Sequence, residues 1–200
     1  MVRQHGPAPL IRQVFPMLLL AVVTLSLMAP GQAGARDAAI RDLFVTNTED
    51  EVLLYFRVSN TFTSAMEEAV LAGITTTFIF TIELYQHRGI RYDRKETTIE
   101  VRHSLKYDSI KKTFYLSHSY LPGEPRQFPE LEMIRAQRAM ADVSGLPIVR
   151  LDRLVRGQPY YVRVRARLDK AALPQDVRTT MLFFSLWYFE TDWARQDFVY

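Results

Sequence analysis

Two histidines have the spacing that most directly suggests chemistry. A turn centred on Ile110 and Lys111 joins two alternating segments, and pairing them about that turn places His103 directly opposite His118. Opposed residues in an antiparallel pair have Cβ atoms roughly 4.5–5.5 Å apart, a distance at which two imidazoles can hold a metal ion or respond to pH. Zinc needs a third protein ligand, and the sequence identifies none. We therefore predict no metal site and no cofactor, and favour two histidines packed near the open end of a core face.

Three arginines form a second candidate site. Arg163, Arg165 and Arg167 alternate with apolar residues, so on a strand they share one face at spacings of about 6.6–7 Å. We call them the arginine row. Guanidinium groups donate paired hydrogen bonds to phosphates and carboxylates, which predicts binding of a phosphate, a lipid headgroup or an acidic partner. The alternative is a solvated face on which cross-strand carboxylates such as Glu83 or Glu100 neutralise the arginines.

The C-terminal region supplies a third candidate, rich in aromatic side chains. Residues Thr179–Phe189 are apolar on both faces of a strand, and the aromatic residues continue to Trp193. Because Trp and Tyr dominate protein interfaces, Trp187, Tyr188 and Trp193 are predicted to form a partner surface. The alternative is a central strand that neighbouring elements cover on both sides.

The segments that must position these residues alternate between apolar and polar side chains with the period of a β-strand. Strands are predicted at Ile40–Thr46, Val52–Val58, Phe78–Tyr85, Thr98–Tyr107, Phe114–His118, Ile148–Leu151 and Tyr160–Leu168. Many short strands separated by turn signals are typical of a β-sandwich. We therefore predict a mostly β fold, an antiparallel, immunoglobulin-like β-sandwich.

Two short helices are predicted between the strands. The first covers Thr63–Ala72 and ends before Gly73, a residue that suits the end of a helix. The second covers Glu130–Val143, after the proline-rich residues 122–129 break the β pattern, and it stops at Gly145. Both helices are expected to cover an open end or edge of the sheets.

The N-terminus has the parts of a secretory signal. The first 13 residues carry two arginines and no acidic residue, Val14–Met28 is apolar, and Ala33 and Ala35 have the spacing of a cleavage site. The pattern predicts a signal helix and signal peptide over residues 1–35 and a single exported domain over residues 36–200. The alternative is an inner-membrane anchor, which is disfavoured because a spanning helix needs roughly 20 apolar residues.

Composition excludes several classes of protein. The chain has 25 basic and 22 acidic residues, and removing the two arginines of residues 1–35 leaves 23 basic residues and a net charge of +1. Nucleic-acid-binding domains usually carry a larger basic excess, so we predict no nucleic-acid partner. The chain has no cysteine, which excludes disulfides and thiolate metal sites. It also lacks the G-x-S-x-G, P-loop, H-E-x-x-H and Rossmann patterns, and no enzymatic activity is predicted.

Five segments, in order, resemble a known family of exported bacterial proteins. They are Ala65–Phe78 (AMEEAVLAGITTTF), Leu105–Ser117, Leu151–Asp169, Leu173-Pro174 and Trp187–Trp193 (WYFETDW). Together they are similar to the domain of unknown function four-three-nine-zero. Where that family often has Ser-Asp-Trp near its end, this chain has Thr191-Asp192-Trp193. The resemblance implies an envelope location, no catalytic role, and a link to membrane histidine kinases, near which such proteins are often encoded.

We therefore expect an exported, periplasmic, non-enzymatic binding or interaction module. In one interpretation it docks on an envelope membrane protein such as a sensor kinase, through the aromatic residues Trp187, Tyr188 and Trp193. In the other it is a periplasmic carrier of an anionic lipid or small molecule, held by the arginine row beside an apolar cleft. A continuous internal pocket would favour the carrier, whereas an exposed aromatic patch without a pocket would favour docking. The sequence pattern carries no signature of oligomeric state.

Overall fold

The computed structural model describes residues 37–119, 132–170 and 188–200, together with the backbone of residues 126–130. Every described residue belongs to one compact unit, Arg36–Tyr200. The predicted signal helix, the Val14–Met28 anchor alternative and Trp187 therefore lie outside the described residues. In the described part of the chain, no helix has both the length and the apolar character needed to cross a membrane.

The described residues are mostly β-strand, arranged in two antiparallel sheets. The smaller sheet has the order β1-β2-β7, with β1 at Ala39–Asn47, β2 at Glu51–Ser59 and β7 at Asp142–Arg150. The larger sheet contains β3 (Thr76–Gln86), β4 (Arg94–Asp108), β5 (Thr113–Ser119), β6 (Arg126–Glu130), β8 (Pro159–Leu168) and β9 (Ala194–Val199). Its order is β6-β5-β4-β3-β8-β9, so β3 lies between β4 and β8. The prediction of a mostly β, antiparallel fold is confirmed.

Alternation along the strands places one face of each sheet in a shared core. In β3, the side chains of Phe78, Phe80, Ile82 and Leu84 are fully buried. Phe56 of the smaller sheet meets Phe80 edge to face, with ring centroids 5.5 Å apart, so the two sheets contact each other directly. Each such burial contributes roughly 1.5–3 kcal/mol. The core therefore fixes which residues of the larger sheet point outward.

The first helix, α1, spans Ser64–Leu71 and confirms the prediction. The side chain of Thr63 accepts a hydrogen bond from the Met66 backbone N–H at 3.3 Å, which satisfies one of the free donors at the start of the helix. Met66 and Val70 are fully buried. Gly73 follows with φ of +88°, a conformation in which glycine ends a helix without strain.

The second helix, α2, spans Met133–Ala141 and is shorter than predicted. The prediction was wrong at its start, because residues 126–130 form strand β6 instead of a break in the β pattern. This strand lies at the edge of the larger sheet and pairs with β5 alone. Pro129 is tolerated there, since an edge strand leaves half of its backbone N–H groups without a strand partner.

The prediction was also wrong at the end of α2, where Gly145 was expected to stop the helix. Strand β7 begins directly after the helix and continues through this glycine. Leu54 pairs with Leu146 and Phe56 pairs with Val143, so two residues of β7 lie opposite one residue of β2. With φ of +67°, Gly145 belongs to a β-bulge, which bends the strand without ending it.

The last strand, β9, was not foreseen, and it pairs with β8 at the edge of the larger sheet. Just before it, the backbone of Thr191 donates to the Ala166 carbonyl at 2.9 Å, and the Thr191 hydroxyl accepts from the Ala166 N–H at 3.0 Å. These bonds hold the segment 188–193 against β8. Of the predicted strand Thr179–Phe189, only residues 188 and 189 are described, and neither is in a strand.

Candidate functional site

The histidine pair has the predicted register. β4 and β5 pair with His103 opposite His118, and the two rings stack with centroids 3.9 Å apart and planes inclined by 16°. His103 is fully buried, and its Nδ1–H donates to the carbonyl oxygen of Met140 at 3.0 Å. Phe80 packs edge-on against the same imidazole at 4.9 Å. His103 therefore fills the core between β4 and the last turn of α2, and His118 lies half-buried beside it.

This environment favours neutral imidazoles. Burial, together with the charge that His118 would carry, lowers the pKa of His103 from 6.5 to about 3, and burial also lowers the pKa of His118. Across the described ranges, no three His, Asp or Glu side chains come close enough together to hold a metal ion. Within those ranges, the pair thus lacks the third ligand that zinc requires.

The arginine row lies on the outer face of the larger sheet, and its first member is neutralised. Glu83 of β3 is only 8% exposed, and its carboxylate accepts from Arg163 at 2.5 Å, from Lys95 at 2.6 Å and from the Tyr85 hydroxyl at 3.0 Å. Burial raises the pKa of Glu83, but these hydrogen bonds outweigh it and hold the pKa below its usual range. Arg163 therefore fits the alternative stated for the arginine row, in which a carboxylate on a neighbouring strand neutralises the arginine.

Arg165, the second member, has both a carboxylate and an aromatic neighbour. Its Nη1 lies 2.7 Å from a carboxylate oxygen of Glu190. The ring of Trp193 faces Arg163 and Arg165, whose guanidinium carbons lie 4.4 Å and 4.9 Å from the ring centroid. Because these cation–π contacts use the face of the indole, Trp193 supports the two arginines within this chain, and its role in a partner surface stays a prediction.

Tyr188 makes similar contacts within its own chain. Its hydroxyl donates to the carboxylate of Glu190, and Lys170 Nζ lies 3.7 Å from the centroid of its ring. The hydrogen bond to Glu190, followed by burial, raises the pKa of Tyr188, so the phenol stays protonated. Both described residues of the predicted aromatic surface, Tyr188 and Trp193, thus contact cationic side chains of this chain. Trp187 lies outside the described ranges.

Arg167, the third member, lines an open pocket with a volume of about 580 Å³. The register places Ile79 of β3 directly between Arg102 of β4 and Arg167 of β8, so the two arginines flank an apolar floor. We define the basic pocket by its charged lining: Arg102, Arg165, Arg167, Lys170, Asp169 and Glu190. The arginine row thus contributes two of the four cations of this pocket.

The basic pocket has an excess of positive charge. Arg102 pairs with Asp169 at 2.8 Å and also with Glu100 at 2.7 Å, outside the pocket lining, and Arg165 pairs with Glu190. Among the described residues, Arg167 and Lys170 form no ion pair with a carboxylate, and the Nε of Arg165 is buried without a hydrogen-bond partner. The pocket can therefore accept an anion with oxygen acceptors, because such a group would satisfy donors that the described residues leave open.

Sequence reasoning missed Arg102 and Lys170. Arg102 was recognised only as an outward residue of its strand, since the pattern shows which face a residue occupies but not which strand is adjacent. Lys170 follows β8 and reaches the pocket only because segment 188–193 folds back over its end. Only Arg102 could have been found from the sequence. If β3 is placed between β4 and β8, the strand register brings Arg102 level with Arg167.

The Glu83 cluster yields a prediction about stability. The substitution Glu83→Gln should lower the free energy of unfolding by about 1–3 kcal/mol, because it leaves Arg163 and Lys95 without their shared carboxylate in a partly buried site. Urea unfolding at pH 7.5 measures the change. Glu100→Gln is the control, since the Glu100–Arg102 pair is exposed and should cost less than about 0.5 kcal/mol. Equal losses in the two variants would contradict a special role for Glu83.

The histidine pair yields a prediction about pH. Because the pKa of His103 is lower in the folded chain than its unfolded value of 6.5, the unfolded chain takes up the proton first. The stability that the neutral, buried His103 contributes to the fold is fully present above pH 6.5 and is lost as the pH falls towards 3. The free energy of unfolding of the unchanged chain should fall between pH 7.5 and pH 5.0, and in His103→Gln this fall should be smaller by about 2 kcal/mol. Urea unfolding at both pH values measures it. A pH-dependent loss of stability that is unchanged in His103→Gln would rule out His103 as its source.

Comparison with known proteins identifies one family. No curated protein and no solved structure was found to match the chain. A family described as a domain of unknown function, DUF4390, matches residues 35–197. The match spans most of the chain and includes the histidine pair, the arginine row and the basic pocket. It also agrees with the resemblance seen in the five segments of the sequence. The chain therefore belongs to the DUF4390 family.

Proposed function

We propose that this chain is an exported, non-enzymatic binding module of the bacterial envelope, and that the basic pocket holds the anionic group of its ligand. The observation that carries the proposal is the charge imbalance of the pocket, where four cationic side chains and two carboxylates line one open cavity. A phosphate or carboxylate would supply the missing negative charge and accept paired hydrogen bonds from the guanidinium groups. In this role the chain is a periplasmic carrier of an anionic lipid or small molecule.

The shape of the basic pocket favours binding of the charged end of a ligand. Arg102 and Arg167 stand on strands either side of β3, which places their backbones about 10 Å apart. Long side chains on two such strands can converge on one small anion above Ile79. Because the pocket is open to solvent, it suits a headgroup or a small molecule better than a buried acyl chain.

The proposed location rests on the N-terminal pattern. A charged start, the apolar run Val14–Met28 and small residues up to Ala35 support export through a cleaved signal helix, and the family match begins at residue 35, where the predicted signal ends. Retention of the apolar run as an anchor is the alternative. For the domain we propose an immunoglobulin-like β-sandwich, which is supported by two antiparallel sheets that share one core.

A second candidate function, docking on an envelope membrane protein such as a sensor kinase, is favoured by a different surface. Phe44 of β1 is 50% exposed, and its ring stacks on Tyr55 of β2 with centroids 4.7 Å apart. The two rings lie on the outer face of the smaller sheet, since the neighbouring Leu54 and Phe56 point into the core. Exposed, pre-stacked aromatic side chains are suited to anchoring a protein interface.

The carrier proposal predicts that charge removal in the pocket abolishes anion binding. The double variant Arg167→Ala/Lys170→Ala should bind glycerol 3-phosphate at least 10-fold more weakly than the unchanged chain, because it removes the two pocket cations that pair with no described carboxylate. Isothermal titration at low salt gives the affinity. Native mass spectrometry of protein purified from envelope fractions would show in parallel whether a bound anion or lipid is lost.

The matched control is Arg135→Ala/Arg138→Ala, which removes two exposed arginines from α2 and the same net charge. If both double variants weaken binding equally, the effect is one of overall charge and the pocket has no specific role. An unchanged affinity in the pocket variant would refute the carrier proposal.

The docking candidate predicts a protein partner that depends on Phe44. In-cell crosslinking of a C-terminally tagged chain, followed by mass spectrometry, should recover one envelope membrane protein, and Phe44→Ser should reduce its recovery at least 10-fold because the stacked aromatic anchor is lost. Leu71→Ser removes another exposed apolar side chain, 48% exposed on α1, and should leave recovery unchanged. Recovery that is insensitive to Phe44→Ser would exclude this surface.

A further inference from the structure

The connection between β3 and β4 presents two large apolar side chains entirely to solvent. In this connection, residues 87–93, Ile90 is 107% exposed and Tyr92 is 99% exposed. Such side chains gain nothing from the fold, since they bury no apolar area against the rest of the domain. Two of them together on one short loop therefore indicate a surface that is covered when the protein acts.

This loop has a defined conformation. One carboxylate oxygen of Asp93 accepts from the Arg88 backbone N–H at 3.1 Å and is bonded to the His87 ring at 2.9 Å. The His87 backbone donates to the Pro159 carbonyl at 2.9 Å, and Gly89 takes a φ of +63° to close the turn. The two apolar side chains are thus held at the tip of a loop fastened to the start of β8.

Positive charge surrounds the exposed apolar pair. Arg88 and Arg91 are exposed on the loop and, with Gln158 and Pro159 of the neighbouring connection, line an open groove of about 630 Å³. No described carboxylate forms an ion pair with either arginine. The nearby acids are already engaged, because Asp93 is held by His87 and Asp197 by Arg195.

Further apolar side chains lie at the same end of the larger sheet. Val199 is 71% exposed and pairs with Pro159, the residue that binds the loop. Val155, 54% exposed, precedes the same strand. These residues extend the apolar surface beyond Ile90 and Tyr92.

We propose that loop 87–93 binds the surface of an anionic lipid bilayer, with Ile90 and Tyr92 inserted at headgroup depth and Arg88 and Arg91 in contact with lipid phosphates. Aromatic and aliphatic side chains ringed by cations are the composition that binds membrane interfaces. A protein hot spot is different, because its anchors fill a pocket and pack against their neighbours, whereas Ile90 and Tyr92 stand clear of the domain. This site is separate from the basic pocket and does not depend on it.

The opposite end of β4 provides a matched control position. Ile110 is 93% exposed beside Lys111 and Lys112 in the turn between β4 and β5. The two ends are separated by the 15 residues of β4, a length of about 50 Å. The two loops therefore cannot insert into one flat membrane at the same time when β4 stands upright on it.

The test uses an environment-sensitive dye on the full chain purified from cells. Because the chain has no cysteine, the variants Ile90→Cys and Ile110→Cys can each be labelled at a single site. With vesicles of phosphatidylglycerol and phosphatidylcholine, the dye at position 90 should shift to the blue and brighten several-fold, since it enters a less polar region. The dye at position 110, and either dye with pure phosphatidylcholine, should not respond.

Two further variants measure the affinity for the same vesicles by co-sedimentation. Arg88→Ser/Arg91→Ser should weaken binding by about 30-fold, from the contribution of two cations near an anionic surface, and Ile90→Ser/Tyr92→Ser should weaken it at least 10-fold. Equal dye responses at positions 90 and 110, or no response at 90, would overturn the proposal. Binding that needs the arginines but not the apolar pair would also overturn it, because that behaviour shows adsorption to the vesicle by charge alone, without insertion of Ile90 and Tyr92.

Discussion

The rest of the structure depends on the burial of strand β3 on both of its faces. Its inward residues, such as Phe80, fill the core, while its outward residues Ile79 and Glu83 are 1% and 8% exposed. A strand that is covered on both sides has little freedom to slip, because a shift of one residue would move every apolar side chain to the wrong face. The registers of β4 and β8 follow from this constraint, and with them the positions of the charged residues on the outer face.

The outer face of the larger sheet is organised by charge in two different ways. Near Glu83 both cations, Arg163 and Lys95, bond the same carboxylate, so that part of the surface stabilises the fold. Four residues further along each strand, around Ile79, the cations that line the pocket outnumber the carboxylates that line it. Among the described residues, Arg167 lies beside the apolar Ile79 without a carboxylate partner, so its charge adds no ion pair to the fold. This contrast between two adjacent regions separates the candidate ligand site from the supporting ion pairs.

The basic pocket and loop 87–93 have separate roles in the functions proposed for this protein. The pocket lies on a flat sheet face, where paired donors can select a small anionic group by geometry. The loop lies at one end of the same sheet, where exposed apolar and cationic side chains suit a surface without fixed geometry. β3 connects them directly, because Ile79 lies under the pocket and the same strand runs into the loop. A membrane contact at the loop would hold the pocket a short distance above the bilayer.

The sequence by itself determined which residues face inward, because alternation along a strand is a local property that needs no knowledge of neighbours. It predicted the opposition of His103 and His118 for the same reason, since a short turn sets the register of a hairpin. Tertiary structure alone decided that β3 stands between β4 and β8, which brings Arg102 level with Arg167. It also decided that Gly145 forms a bulge and that segment 188–193 folds along β8. These outcomes depend on packing between segments that are far apart in the chain. A local sequence pattern does not show which distant segment a strand will pack against.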